Sequence, residues 1–192
     1  MKLLKYFNSF TSNKFNFNEP IKLHIGCNKT SLEGFVNIDV RETKSTDIVT
    51  NSWELQMFKS ESVSHIYSRH TIEHLTLHEA HLTFQEWYRV LKSDATINII
   101  VPDLHFHAKQ LLGIAENSRH DSPIKSMFDH AMAGFYGWQR KDRGGIVDLH
   151  KWGYTDKSLK DILENHNFSN FKRELDSTID FEPWHLNITA KK

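Results

Sequence analysis

The stretch that most constrains this chain is IKLHIGCNKTSLEGFVNIDV, residues 21–40. It begins with an apolar strand pattern, Ile21-Lys22-Leu23-His24-Ile25, and breaks at Gly26-Cys27-Asn28, where the backbone can turn sharply. A second strand pattern, 35–38, ends in an acid, Asp39. A strand, a glycine turn and a strand closed by a carboxylate are the parts of a nucleoside crevice in a doubly wound sheet. Backbone at the glycine admits the ligand closely, and a carboxylate accepts from ribose hydroxyls. Only eight residues separate Gly26 from Phe35. A full crossover helix needs roughly a dozen, so the first helix is a turn or two at most, or the connection is irregular.

The reading stands only if the remaining strands follow in order, and the pattern supplies them. Residues 47–50 and 63–68 read as strands, with a short helical turn opening near Trp53. From 71 to 91 the period changes: Ala80, Phe84, Trp87 and Leu91 line one face of a helix, ended by Lys92-Ser93-Asp94. Residues 96–101, TINIIV, form the strongest strand signal, nearly all β-branched or apolar, as in a parallel strand covered on both faces. Pro102 stops it. Residues 103–118 read as helix. Residues 119–153, rich in His, Gly and aromatics, read as a lid or insertion, partly helical near 124–133, with a flexible turn at Gly144-Gly145. Thr155 is an N-cap for a helix over 156–165, with Ser158 where a capping-box Glu would stand. Strands at 168–175 and 184–190 close the chain. The order predicts a single α/β domain over 1–192 with a mostly parallel sheet.

Composition excludes several classes. The 192 residues suit one domain with a proper core. No apolar run approaches the roughly 18 residues of a membrane span. The start, MKLLKYFNSFTSNKFNF, lacks the continuous apolar core and cleavage site of a signal peptide; Leu3, Leu4, Phe7 and Phe10 instead suit a short amphipathic helix or arm. Lys plus Arg equals Asp plus Glu, which argues against a nucleic-acid surface over the whole domain and leaves a local basic patch at Arg140, Lys141 and Arg143. Cys27 is the sole cysteine, so no internal disulfide forms and a reducing cytoplasm is expected. The oligomeric state is left open.

Four stretches carry a family resemblance: KLHIGCNKTSLEGFVNIDV, IYSRHTIEHL, EWYRVLKSDATINIIVPD and HKWGYTDKSLKDILENHNF. In this order, spread over Lys22 to Phe168, they resemble the class I S-adenosylmethionine (SAM) dependent methyltransferases, in particular the small type-11-like branch. The resemblance implies a Rossmann-like, doubly wound, seven-stranded sheet, mostly parallel with its last strand antiparallel. It implies SAM over the carboxyl ends of the first strands. Gly26, Cys27 and Asn28 would hold its methionine portion, Asp39 the ribose, and Val40, Asn51, Ser52, Trp53 and Arg69 would complete the cofactor site. Asn28 stands where the family has a second glycine; Asn is the next most tolerant of a left-handed backbone. Asn51 stands where the family often has an acid, and its side-chain carbonyl can still accept from the adenine amino group. Leu91-Lys92 is followed by Ser93-Asp94-Ala95, where the family has Pro-Gly-Gly.

Methyl transfer to a weakly acidic hydroxyl or amine calls for orientation and a general base. The candidates are His70, His74, Asp103, His105, His107 and His150, of which His150 and His70 are favoured as catalytic. The acceptor is an O or N nucleophile of a small molecule or glycan; the aromatic segment 135–154 would shape its pocket. Cys27 reads as a small buried residue. The letters His70-x-x-Glu73-His74 also spell an inverted zinc-peptidase motif. That alternative leaves the upstream nucleoside pattern unexplained and has no evident third ligand, so no metal ligand is assigned. A second rival keeps the fold without turnover: a degenerate SAM-binding module acting as subunit or regulator, motivated by Asn28 and Asn51. A nicotinamide dehydrogenase is disfavoured by the missing G-x-G-x-x-G.

Overall fold

A computed structural model describes residues 20–115, 126–139, 148–174 and 182–192. The expected N-terminal amphipathic helix, the basic patch at 140–143 and the Gly144-Gly145 turn lie outside the described residues. Seven strands form one sheet: β1 (Ile21–Ile25), β2 (Val36–Asp39), β3 (Ile48–Val49), β4 (Val63–Arg69), β5 (Leu91–Pro102), β6 (Ser169–Arg173) and β7 (His185–Lys191). Their spatial order is β3-β2-β1-β4-β5-β7-β6. β1 to β5 pair in parallel, while β7 runs antiparallel to both β5 and β6. This is the doubly wound, seven-stranded sheet the sequence predicts. The order reverses beside β1, and ligands bind such sheets at the carboxyl ends flanking that switch point.

The helices are α1 (Leu77–Val90), α2 (Leu104–Leu111), α3 (Met127–Tyr136) and α4 (Asp156–Glu164), with a 3-10 turn at Ile72–His74. The expected 71–91 helix therefore starts late. Thr76 is its N-cap: Glu79 N donates to Thr76 Oγ1, and Thr76 N donates to the Glu79 carboxylate. Ala80, Phe84, Trp87 and Val90 bury the predicted face against the sheet. Burying a side chain such as Phe84 contributes roughly 1.5–3 kcal/mol. At its other end Leu91 opens β5 directly, because Leu91 pairs with Val63; residues 92–95 then bulge from the ladder with β4, Asp94 at φ 61°, before pairing resumes at Thr96. The expected 103–118 helix ends at Leu111, and the 124–133 segment is helical from Met127. At α4, Ser158 Oγ does what a capping-box Glu does: it accepts from Thr155 N at 2.9 Å while Ser158 N donates to Thr155 Oγ1 at 3.2 Å.

No helix links β1 to β2. Residues 26–35 form turns, as the short spacing required. Asn37 stands in for the missing helix. Its buried amide accepts from Leu32 N at 2.8 Å and donates to Phe35 O, Leu32 O and Asp47 Oδ2. A polar side chain can be buried because each of its groups finds a partner. Near Trp53 the chain turns without forming a helix.

Candidate functional site

The turn after β1 is strapped to the end of β2. Gly26 N and Cys27 N both donate to Ile38 O, at 2.8 and 3.0 Å. Gly26 sits at φ +79°, and a Cβ there would lie 1.9 Å from Thr71 Oγ1, so only glycine satisfies both the backbone and the close approach of the β4 loop. Asn28 adopts the left-handed φ of 47° that its family position demands. Cys27 is buried, its thiol pushed up by burial, with the Thr46 hydroxyl 3.7 Å away; it is a packing residue.

Asp39 is buried at the end of β2. Its Oδ2 accepts from Asn28 N at 2.8 Å and its Oδ1 from Arg41 N at 2.9 Å. Oδ1 also meets Arg41 Nε at 3.4 Å, while Oδ2 keeps a second lone pair. The same carboxylate thus shapes the turn and remains able to accept from a ligand. Val40 follows it with its apolar side chain 59% exposed. Asn51 donates through Nδ2 to Glu54 Oε2 at 2.9 Å, which leaves its carbonyl oxygen to accept. Ser52 is buried and turned away: its hydroxyl meets Thr83 and its carbonyl accepts from Trp87 Nε1. Its side chain anchors the loop to α1. Trp53 is half-buried on the same loop, and Arg69 ends β4. These residues fit an adenosyl group: a backbone turn, a carboxylate with a spare acceptor, an open apolar side chain and an amide oxygen.

Beyond β4 lies a histidine cluster. His70 follows Arg69 in a left-handed conformation, φ 49°, held by His70 N donating to Ile100 O at 2.8 Å. Such a backbone costs about 1–3 kcal/mol and persists where surroundings over-determine it, often at functional sites. Its Nδ1 meets Glu73 Oε1 at 3.2 Å, and its ring stacks edge-on against His185 at 4.5 Å. Glu73 is 1% exposed. Burial alone would push its carboxyl up; the His70 hydrogen bond and the charges of His74, His70 and His150 outweigh that and hold it below the usual carboxylate value. Its backbone carbonyl receives Lys151 N and Trp152 N at 2.8 and 3.2 Å, which zips the 148–154 loop onto the 3-10 turn. His74 and His150 rings lie 5.1 Å apart. Burial lowers His150, against the raising pull of Glu73. The Tyr154 hydroxyl, buried without a hydrogen-bond partner among the described residues, is held from ionising by burial and by the Glu73 charge.

The six candidate bases separate sharply. Asp103 is committed: Oδ1 caps α2 by accepting from His105 N, and Oδ2 pairs with Arg173 at 2.7 Å. His105 is exposed. His107 is buried between α2 and α3, lowered to about 4 by burial, with Nδ1 2.8 Å from Gln110 Oε1. His70, His74 and His150 come together around Glu73, a residue the sequence offered only as a helix start or a peptidase letter. The H-x-x-E-H motif does not lie on an α-helix, so its two histidines are not stacked one turn apart as the peptidase reading requires. Glu73, His74 and His150 do place one possible ligand atom each within 4.8 Å of the others. His185 was missed because it arrives from β7, 115 residues after His70.

Residues 31–99 match the family described as Methyltransferase domain. No curated protein matches the chain. Solved structures similar to it include a SAM-dependent methyltransferase from Archaeoglobus fulgidus, at 17% identity over 100% of this chain and 91% of that one, TM-score 0.58. Another, from Methanosarcina mazei, is 19% identical over 91% and 92% of the two chains, TM-score 0.56. A third, from Mesorhizobium loti, is 12% identical over 90% of each, TM-score 0.53. At these identities the likenesses speak to the fold alone, and the fold is the one read from the strand order. The family match over 31–99 is carried on a sheet ordered β3-β2-β1-β4-β5-β7-β6, the fold of the solved SAM-dependent methyltransferases that the chain resembles.

Proposed function

We propose that this chain is a class I SAM-dependent methyltransferase of the type-11 branch, acting on an oxygen or nitrogen nucleophile of a small molecule or glycan, with His70 as the general base. The observation that carries the reading is the His70–Glu73 pair at the carboxyl edge of β4. Glu73 stays ionised and buried, so it holds His70 Nδ1–H and leaves the Nε2 lone pair to take a proton. The His70 side chain is 37% exposed, open to an acceptor, whereas His150 is half-buried with its Nδ1 2.8 Å from Gly134 O. His150, favoured with His70 from the sequence, is better placed to line the site than to exchange protons with an acceptor.

SAM supplies an electrophilic methyl group on a sulfonium. The chain positions it: backbone at Gly26 to Asn28 borders the methionine end, Asp39 takes the ribose hydroxyls, and Val40, Asn51, Ser52 backbone and Trp53 frame adenine. Arg69 closes the cofactor side next to His70. The aromatic and histidine-rich stretch that includes α3 and 148–154 forms the acceptor wall. The left-handed Asn28 and the free Asn51 carbonyl favour a competent site over the degenerate SAM-binding module. Among the described residues no helix is long and apolar enough to cross a membrane. A reducing compartment such as the cytoplasm belongs to the same proposal and rests on Cys27 being a buried free thiol.

The test is calorimetry with SAM followed by an acceptor screen with methyl-labelled SAM. Binding together with label transfer to a hydroxyl or amine supports the reading. Tight binding with no transfer to any nucleophile class favours the module, and absence of binding overturns both.

A further inference from the structure

The cluster behind His70 has a second feature. His74 Nδ1 lies 3.1 Å from Leu149 O, and His150 Nδ1 lies 2.8 Å from Gly134 O. A carbonyl oxygen only accepts, so both rings carry a proton on Nδ1, and each ring when neutral presents its Nε2 lone pair. A backbone carbonyl holding the far ring nitrogen is the usual support of a metal-binding histidine, because it fixes tautomer and orientation together. Glu73 Oε1 is taken by His70, but Glu73 Oε2 is buried with no hydrogen-bond partner among the described residues. A buried carboxylate oxygen left bare is expensive unless a cation or donor meets it. One ligand atom from each of Glu73, His74 and His150 lies within 4.8 Å of the other two.

We propose that Glu73, His74 and His150 form a three-ligand site for a divalent first-row transition ion of the zinc class. Two imidazole nitrogens and one carboxylate oxygen suit such ions, whereas calcium and magnesium prefer oxygen alone. Bonds near 2.0–2.1 Å would draw the three ligand atoms to roughly 3.4 Å apart. The hydrogen bonds from Lys151 N and Trp152 N to Glu73 O already fasten the two contributing segments together. Three protein ligands leave coordination positions open to a further oxygen or nitrogen. His70 is not a ligand: it grips Glu73 Oε1 and orients the carboxylate from outside. The set therefore differs from the peptidase motif, taking His150 in place of His70. The proposal does not depend on the base assignment or on methyl transfer.

Protein dialysed against a chelator is titrated with Zn2+ by calorimetry and with Co2+ by visible absorption, and the metal content of the protein as purified is read by plasma mass spectrometry. One equivalent per chain is expected, with the intense absorption of a four- or five-coordinate cobalt centre. His74→Gln and His150→Gln should each weaken binding at least about 100-fold, and Glu73→Gln likewise. His70→Gln, which removes the outer support of Glu73, should cost about 10- to 100-fold, while His81→Gln, a control for the separate His81–His166 pair 2.9 Å apart, should bind within tenfold of the native chain. Where Glu73→Gln fails to fold, the two histidine variants, checked by near-UV dichroism, decide. No stoichiometric ion, or equal affinity in the histidine variants, overturns the site. SAM affinity of the same metal-free samples is measured in parallel, so loss of the metal site and loss of the methyltransferase reading are read separately.

Discussion

In the proposed site Asp39 would carry two duties on one carboxylate, shaping the turn and holding the ribose, and the right substitution separates them. Asp39→Asn keeps one acceptor oxygen and the side-chain shape but removes the charge and replaces the other acceptor with a donor facing a backbone N–H. Asp39 accepts from Asn28 N and Arg41 N, so the variant should weaken SAM by about 1–3 kcal/mol, the scale of lost charged hydrogen bonds, while thermal unfolding shifts modestly. Calorimetry with unchanged SAM affinity in a folded Asp39→Asn protein would remove the ribose assignment. His70 makes a sharper case. His70→Gln should lower kcat by about 10²–10⁴ with SAM affinity retained, as expected of a lost general base. An equal fall in SAM affinity would mean the histidine shapes the crevice instead. These residues differ in how readily the sequence betrays them. Gly26, Asn28 and Asp39 lie within fourteen positions, and each owes its role to backbone geometry that local pattern encodes. Glu73 owes its role to His150 and to the carbonyls of Gly134 and Leu149, more than sixty positions away, so its neighbours in sequence could suggest only a helix start.

Helix boundaries moved for one physical reason: caps outrank periodicity. The apolar face of α1 was readable from Ala80, Phe84 and Trp87, but its start is set by Thr76 and Glu79, a Thr-x-x-Glu box plainly present in the sequence. The residues before it, Ile72–His74, spend their hydrogen bonds on a 3-10 turn, and that turn aims Glu73 inward. Thr76→Ala leaves the N-terminal amides of α1 without their acceptor. It should cost about 1 kcal/mol, read as a lower midpoint in denaturant with an unchanged slope. A silent substitution would mean the helix start is held by the 3-10 turn alone. The β1–β2 connection shows the limit of pattern in the other direction. Its length excluded a crossover helix, yet nothing in the pattern said that Asn37 would replace one, since a polar residue in the middle of a strand normally reads as solvent-facing. Only the parallel pairing of β1, β2 and β3 brings Asp47 beside it.

Across the whole molecule, histidines buried in neutral form set the response to acid. His107 is lowered to about 4, chiefly by burial, and His24, His65, His166 and His185 are lowered with burial as the largest cause in each. Each has an ordinary value near 6.5 once unfolded. Between pH 6.5 and the lowered value the unfolded chain therefore holds more protons, and stability rises with pH. The contribution is fully present above about pH 6.5 and drains as pH falls towards the folded value. His107 alone accounts for on the order of 3 kcal/mol. Glu73 adds to this further down: its lowered carboxyl contributes above its ordinary value and that contribution is lost as pH falls through the folded one. Both groups push the same way, the histidines first. Calorimetric Tm should fall steadily from pH 7 to pH 5, before carboxylates titrate appreciably. His107→Gln, which keeps a polar group beside Gln110, should have a lower Tm at pH 7 and a flatter slope. A native profile level from pH 7 to pH 5 would show that these rings reach solvent, and would undo the packing of α2 against α3 through His107, Gln110 and His130 on which the acceptor wall depends.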